Sequence, residues 1–378
     1  MNCIGIETFG GMPVHVDFDA TISSVEPVSD SGGLYLAPGF IDLQVNGFLG
    51  VDFNDPKCTQ EQIARSIRGL FSTGVTRFYP TVITGSPAGM LDALRNLRCA
   101  KEKLREGAAM DGFHVEGPHI SPDDGPRGAH PRRWVRPPDL DEFHRWQEAT
   151  GNQIRIVTLA PDWPQSLRYI EAITAEGVVA SIGHTNATAQ QLADAVSAGA
   201  SLSTHLGNGA HAVMRRHPNY LWEQLAEDRL MADFIVDGIH LPPSFLKVAL
   251  RAKTVARSVL VTDAAAPAGC PPGRYYLGEQ AVDLTADNRV MLVGQERLAG
   301  SALRMDRGVE NLMRIAGLSL AEAVSMATTN AARAGRVPGR TAGLVPGDRA
   351  DIVVFDFNKS DLSIAIKSTY VSGVKVYG

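Results

Sequence analysis

The chain has 378 residues, room for one eight-stranded α/β barrel of about 250 residues and a small appendage. Hydrophobic residues make up 44%, charged residues 20%, and the formal net charge is −5, which excludes a disordered chain and gives no basic cluster for a nucleic-acid partner. The four cysteines (Cys3, Cys58, Cys99, Cys270) form no CxxC pair, no window approaches the roughly 18 apolar residues of a membrane span, and the N-terminus has no basic-then-apolar leader; reduced thiols, no membrane partner and a cytoplasmic location are expected.

In chain order, residues 1–37 carry short, Gly-rich, strand-like fragments. Eight apolar runs of strand length follow, at 35–45, 75–82, 112–115, 154–159, 178–182, 200–204, 231–236 and 259–262. Helical stretches intervene at 59–73, 87–106, 164–176, 188–198 and 242–252. Alternation of this kind is the pattern of a parallel sheet wrapped by helices. After residue 342 the chain returns to strand patterns such as Asp351-Ile352-Val353-Val354-Phe355. The expected fold is an α/β (β/α)8 TIM-type barrel over 38–341, with a small β-sandwich domain built from both chain ends, 1–37 and 342–378.

The polar residues fall where these strands finish, the face on which such barrels build their pockets. The first run leads into Gln44 and Asn46, the third into Glu116, the fifth into His184 and the sixth into His205. The seventh leads into Asp237 and His240, the eighth into Asp263. Glu116, His184 and His205 are a carboxylate and two imidazoles, a set that suits one divalent ion while leaving a place for water. Zinc is the first choice, with iron, cobalt or manganese as alternatives. Asp263 is the candidate to move the proton of a hydrolytic water. Each residue also has a plainer reading. A histidine after a strand is commonly a hydrogen-bonded structural residue, Glu116 before Gly117-Pro118 could cap a turn, and Asp263 could cap a helix. Together, four such residues on four strand ends favour a metal-dependent hydrolase. His130 follows the Gly-rich loop 123–129, which is long enough to fold over a pocket or to lie free on the surface. Arg215 and Arg216 read equally as an exposed charged pair.

Several motifs resemble the N-acetylglucosamine-6-phosphate deacetylase family of the amidohydrolase superfamily over nearly the whole chain. They are Ala37-Pro38-Gly39-Phe40-Ile41-Asp42, His114-Val115-Glu116-Gly117-Pro118, Val157-Thr158-Leu159-Ala160-Pro161 and Gly183-His184-Thr185-Asn186-Ala187. Further on come Thr204-His205-Leu206, Asp237-Gly238-Ile239-His240, Thr262-Asp263-Ala264 and Leu298-Ala299-Gly300-Ser301. The resemblance implies metal ligands Glu116, His184 and His205, with Asp263 as general base and then acid, and His130 polarising the acetyl carbonyl. It implies that His240 and Arg216 bind the sugar phosphate, Arg216 reaching in from the neighbouring subunit of a homodimer. Gln44, Asn46, Ala129, Asn208 and Gly209 complete the substrate-contacting set. Gln44-Val45-Asn46 stands where many relatives carry His-x-His, so one metal ion is expected. The end of the fourth run offers no lysine for a carboxylated bridge.

Two departures bear on substrate. The family's aromatic-Asn-Ala-Met is Gly207-Asn208-Gly209-Ala210 here, and its Arg-Glu-Pro-Gly is Arg216-His217-Pro218-Asn219. The implied activity is deacetylation of N-acetylglucosamine 6-phosphate, a small-molecule amino-sugar phosphate. The alternatives are deacetylation of another N-acyl amino sugar, such as N-acetylgalactosamine 6-phosphate or an unphosphorylated sugar, or a non-catalytic scaffold of the same fold.

Overall fold

The computed structural model describes residues 1–340 and 342–378. Eight strands run parallel in sequential order: β1 (Phe40–Val45), β2 (Val75–Ile83), β3 (Phe113–Glu116), β4 (Ile154–Leu159), β5 (Val179–Ile182), β6 (Leu202–Ser203), β7 (Met231–Ile235) and β8 (Ser258–Val261). Every one falls on an anticipated run. The sheet curls into a nearly closed barrel whose seam lies between β1 and β8. There Val45 bridges Ala264, Asn46 N donates to Ala264 O at 2.8 Å, and Thr262 Oγ1 donates to Asp42 at 2.6 Å.

The helices form where capping and periodicity coincide. Gln60–Phe71 starts at Thr59, whose side chain caps the Gln62 amide while the Gln62 side chain reaches back, and it buries Ile63, Ile67, Leu70 and Phe71 against the barrel. Ala189–Ser197 starts with the same reciprocal pair, Thr188 and Gln191.

The run at 35–45 is not one strand. It divides at Gly39, where an added Cβ would lie 2.2 Å from Thr76, so the chain can cross close over β2 only as glycine. Tyr35–Pro38 joins a different sheet, pairing parallel with Asn2–Glu7 and antiparallel with Ile352–Asn358. That mixed sheet has seven strands, in the order Val374–Tyr377, Ser363–Val371, Ile352–Asn358, Tyr35–Pro38, Asn2–Glu7, Pro13–Phe18, Ile22–Pro27, and so draws on both chain ends. The division into 1–37 with 342–378 and 38–341 stays a proposal; residue 341, on its second boundary, lies outside the described residues.

A buried ion cluster joins the two sheets. Arg77 of β2, 1% exposed, places Nε 2.5 Å from Asp351 and Nη1 3.2 Å from Asp111, and Arg349 meets Asp351 at 3.0 Å. Removing one partner strands a buried charge, which costs about 3–5 kcal/mol. Asp351→Ala is therefore expected to lower the free energy of chemical unfolding by that much, and Arg77→Met in the same chain to recover part of it. An Asp351→Ala protein as stable as the parent would show that the cluster does not join the sheets energetically.

One element went unanticipated. After β8 the chain forms a three-stranded antiparallel unit, Gly273–Leu277, Gln280–Leu284 and Val290–Leu292. Its first turn is the two-residue Gly278-Glu279, with Gly278 at φ +54° as such turns require. The alternation around that Gly was the sequence signal for it.

Candidate active site

Glu116 is the last residue of β3, and His184, His205 and Asp263 follow β5, β6 and β8 within two residues. The last three have φ of +52°, +30° and +50°. Non-glycine residues rarely adopt this left-handed conformation, which persists where surrounding bonds enforce it. Here it turns all three side chains back over the barrel mouth.

His184 Nε2 lies 3.1 Å from Glu116 Oε1 and 3.1 Å from His205 Nε2, and His205 Nε2 lies 2.8 Å from Glu116 Oε1. His184 Nδ1 is 2.8 Å from the Pro126 carbonyl, which can only accept. Nδ1 therefore carries a proton, and Nε2 faces Glu116 and His205. Burial pushes the Glu116 carboxyl up, but hydrogen bonds and charge from His184 and His205 hold it well below the usual carboxylate range. Burial likewise opposes charge on His205, yet Glu116, Asp263 and Asp233 raise it to about 9. The point where the three side chains meet thus carries a buried negative potential that draws a cation.

A carboxylate oxygen and two imidazole nitrogens converging on one point are the donor set of a single divalent ion. His130 also comes near, one of its ring nitrogens lying within 4.8 Å of ligand atoms of Glu116 and His184. His130 is tied elsewhere, its Nδ1 2.7 Å from Thr84 Oγ1 and its ring edge-on to His184 at 4.4 Å. His205 Nε2 also reaches Glu116, at 2.8 Å, so both His130 and His205 stand beside the Glu116–His184 pair. Burial, then the charge of His184, lowers His130 to about 3, so its ring stays neutral.

Asp263 Oδ1 accepts from Gln44 Nε2 at 3.0 Å and from Asn46 Nδ2 at 2.6 Å. Burial and the Glu116 charge raise its carboxyl to about 6, against the pull of His205, His240 and Asn46. His240 is fixed by Asp237, which accepts from its Nδ1 at 2.6 Å and from its backbone amide at 2.8 Å.

Ten of the twelve residues singled out from the sequence line one cavity of about 1360 Å³. Gln44 lies directly behind Asp263. Arg216 is exposed, away from its own chain's cavity, on the loop before helix Tyr220–Ala226. The loop 123–129 packs across the mouth: Pro126 O meets His184, Gly128 O accepts from Arg297 at 2.9 Å, and Ala129 O accepts from Gln280 at 3.0 Å. Thr84, Gln280 and Arg297 thereby support the site without any sequence signal that marked them.

The departures at Gly207 and Gly209 have a steric reason. Gly207, at φ +103°, abuts Phe245 and Leu241, which would lie 2.7 and 2.8 Å from an added Cβ; these rings and methyls fill the space. A Cβ on Gly209 would lie 2.6 Å from His184 Nδ1. Asn208 between them binds the His205 carbonyl through its backbone amide and Nδ2, at 2.9 and 3.2 Å.

The model of the amidohydrolase family matches residues 35–376. The chain belongs to the amidohydrolase family. Within it the chain belongs with the N-acetylglucosamine-6-phosphate deacetylases. It is 36% identical to the human enzyme of that name over 362 residues, covering 92% of this chain and 85% of that one. Its identity to the Bacillus subtilis enzyme is 35% over 322 residues, 84% of this chain and 80% of that one. Among solved structures, the Mycobacterium smegmatis N-acetyl-D-glucosamine-6-phosphate deacetylase in complex with N-acetyl-D-glucosamine-6-phosphate superposes with a TM-score of 0.89 at 29% identity, over 100% of this chain and 99% of that one. The Thermotoga maritima enzyme gives 0.87 at 27%, over 99% and 98%. Among the described residues no helix of this amidohydrolase is long and apolar enough to cross a membrane.

Proposed function

We propose that the chain hydrolyses the acetamide of N-acetylglucosamine 6-phosphate, releasing acetate and glucosamine 6-phosphate. The observation that carries this reading is the convergence of Glu116, His184 and His205 beside the buried Asp263 in one cavity. The relatives that act on this substrate by name support the choice of sugar.

Glu116, His184 and His205 would hold one divalent ion, zinc by preference for two imidazoles and a carboxylate. Such an ion supplies Lewis acidity toward the acetyl carbonyl and makes water more acidic. Neutral His130, steadied by Thr84, donates from its other ring nitrogen to that carbonyl as negative charge grows on it. Asp263 takes the proton of the attacking water and hands it to the leaving nitrogen as the tetrahedral carbon collapses. Gln44 and Asn46 both engage Oδ1 and so orient the carboxylate; Oδ2 has no hydrogen bond among the described residues and is left for the proton. Asn208, Gly209 and Ala129 shape the sugar pocket. His240, oriented by Asp237, faces the phosphate, and the exposed Arg216 meets it from the second subunit of a homodimer. A cytoplasmic location fits the four free cysteines.

The test is acetate release from N-acetylglucosamine 6-phosphate beside its galacto epimer and both unphosphorylated sugars. Hydrogen bonds to a charged group contribute about 1.5–3 kcal/mol each, so loss of the phosphate is expected to lower kcat/KM roughly 10- to 100-fold per contact. Equal rates with and without phosphate would remove the roles of His240 and Arg216. A preference for the galacto epimer would keep the chemistry and move the substrate.

A further inference from the structure

The segment Leu298-Ala299-Gly300-Ser301 has no part in the proposed hydrolysis, yet it borders the same cavity and lies against the turn that presents Asp263. We infer that Ser301 is a positioning residue that holds the Thr262–Ala265 turn, and with it the Asp263 carboxylate, in its working orientation; this rests on Asp263 being the proton carrier.

Three bonds tie Ser301 to the turn. Its Oγ donates to Thr262 O at 2.5 Å, its backbone amide donates to Asp263 O at 2.9 Å, and its carbonyl accepts from Ala265 N at 2.9 Å. The same Oγ accepts from Leu303 N at 3.0 Å, so the hydroxyl is used in both directions. From the other side β1 completes the frame. Asp42 accepts from Thr262 N and Thr262 Oγ1 at 3.2 and 2.6 Å, and Asn46 N donates to Ala264 O at 2.8 Å. Asp263 sits at φ +50° between these two braces. A strained backbone of this kind holds only when its neighbours over-determine it.

Gly300 explains why the brace can come so close. At φ +65°, an added Cβ would lie 2.9 Å from the Ala265 Cβ and 3.4 Å from Asp263 O. Ser301 itself is 1% exposed, so a hydroxyl lost there leaves Thr262 O and Leu303 N with no solvent to replace it. The backbone bonds of residue 301 survive any substitution; the hydroxyl bond is the part that only serine or threonine supplies.

The experiment compares Ser301→Ala, Ser301→Thr and Asp263→Asn, alone and combined, in metal-loaded protein. A small misplacement of a reacting group costs up to about 100-fold in rate, so Ser301→Ala is expected to lower kcat by about 10-fold or more, with KM and bound metal unchanged. Ser301→Thr is expected to recover most of the rate. In the Asp263→Asn background, Ser301→Ala is expected to cost nothing further, because the group it positions is gone. An equal loss in both backgrounds, or a Ser301→Ala enzyme at the parent rate, would overturn the inference. If Ser301→Ala does not fold, Ser301→Cys takes its place, keeping the volume with a weaker donor. A crystal structure of the variant is the readout free of substrate: a displaced 262–265 turn supports the brace and an unmoved one refutes it. Absence of acetate release by the parent protein would instead refute the proposed substrate, and the crystal structure would still decide on Ser301.

Discussion

Asp263→Asn is expected to lower kcat by about 10²- to 10⁴-fold while the protein keeps its metal and its substrate affinity, because general acid–base transfer contributes on that scale. The amide fills the same space and can still meet Gln44 and Asn46, but it cannot accept and return a proton. Metal analysis and acetate release on the same sample check this, and a variant with near-normal turnover would take the role from Asp263. The parent enzyme should show the same group in its pH profile. Burial and Glu116 raise Asp263 to about 6, and a cation held by Glu116, His184 and His205 would oppose that shift. As the carboxylate is the active form, kcat/KM is expected to fall as pH drops through a midpoint at or below about 6, tenfold per unit on the acid side. The limb should vanish in Asp263→Asn. A limb that persists in the variant would belong to another group.

Glu116→Gln is expected to empty the metal site. The carboxylate touches both His184 and His205, at 3.1 and 2.8 Å, and it alone supplies negative charge among the three proposed ligands. Loss even of a group that merely supports a ligand costs about 10- to 100-fold in metal affinity, so loss of this ligand should exceed that. The protein should purify with less than stoichiometric metal, and its activity should return only at high added zinc. Full metal occupancy in Glu116→Gln would require a different ligand set, with His130 the nearest replacement. The two substitutions are distinguishable: one loses the proton carrier with the metal in place, the other loses both.

Much of the molecule was legible in the sequence because it is written in local patterns. Eight apolar runs with polar residues at their ends specified the barrel strands and the face that carries Glu116, His184, His205 and Asp263. Thr59 with Gln62, and Thr188 with Gln191, marked helix starts by capping chemistry that spans only three residues. The donor types alone pointed to a divalent ion, since carboxylate and imidazole chemistry does not depend on where the strands meet.

What tertiary structure decided concerns pairs far apart in the chain. The Gln44–Asp263 bond joins residues 219 positions apart, and the Thr84–His130 bond joins residues 46 apart; no periodicity encodes either. The loop 123–129 read equally as a flap or a free surface segment, and it became part of the site through His184 and through Gln280 and Arg297, on and beside a hairpin unit that closes over it. The run 35–45 looked continuous because both halves are apolar, and contact with Thr76 divided it at Gly39. The left-handed turns at His184, His205 and Asp263 are likewise beyond sequence propensity, which disfavours them, and they exist because hydrogen bonds from neighbouring strands and from Ser301 outweigh that local cost. Residue type and spacing determined the chemistry this chain can do; the closing of the barrel determined which of those residues meet.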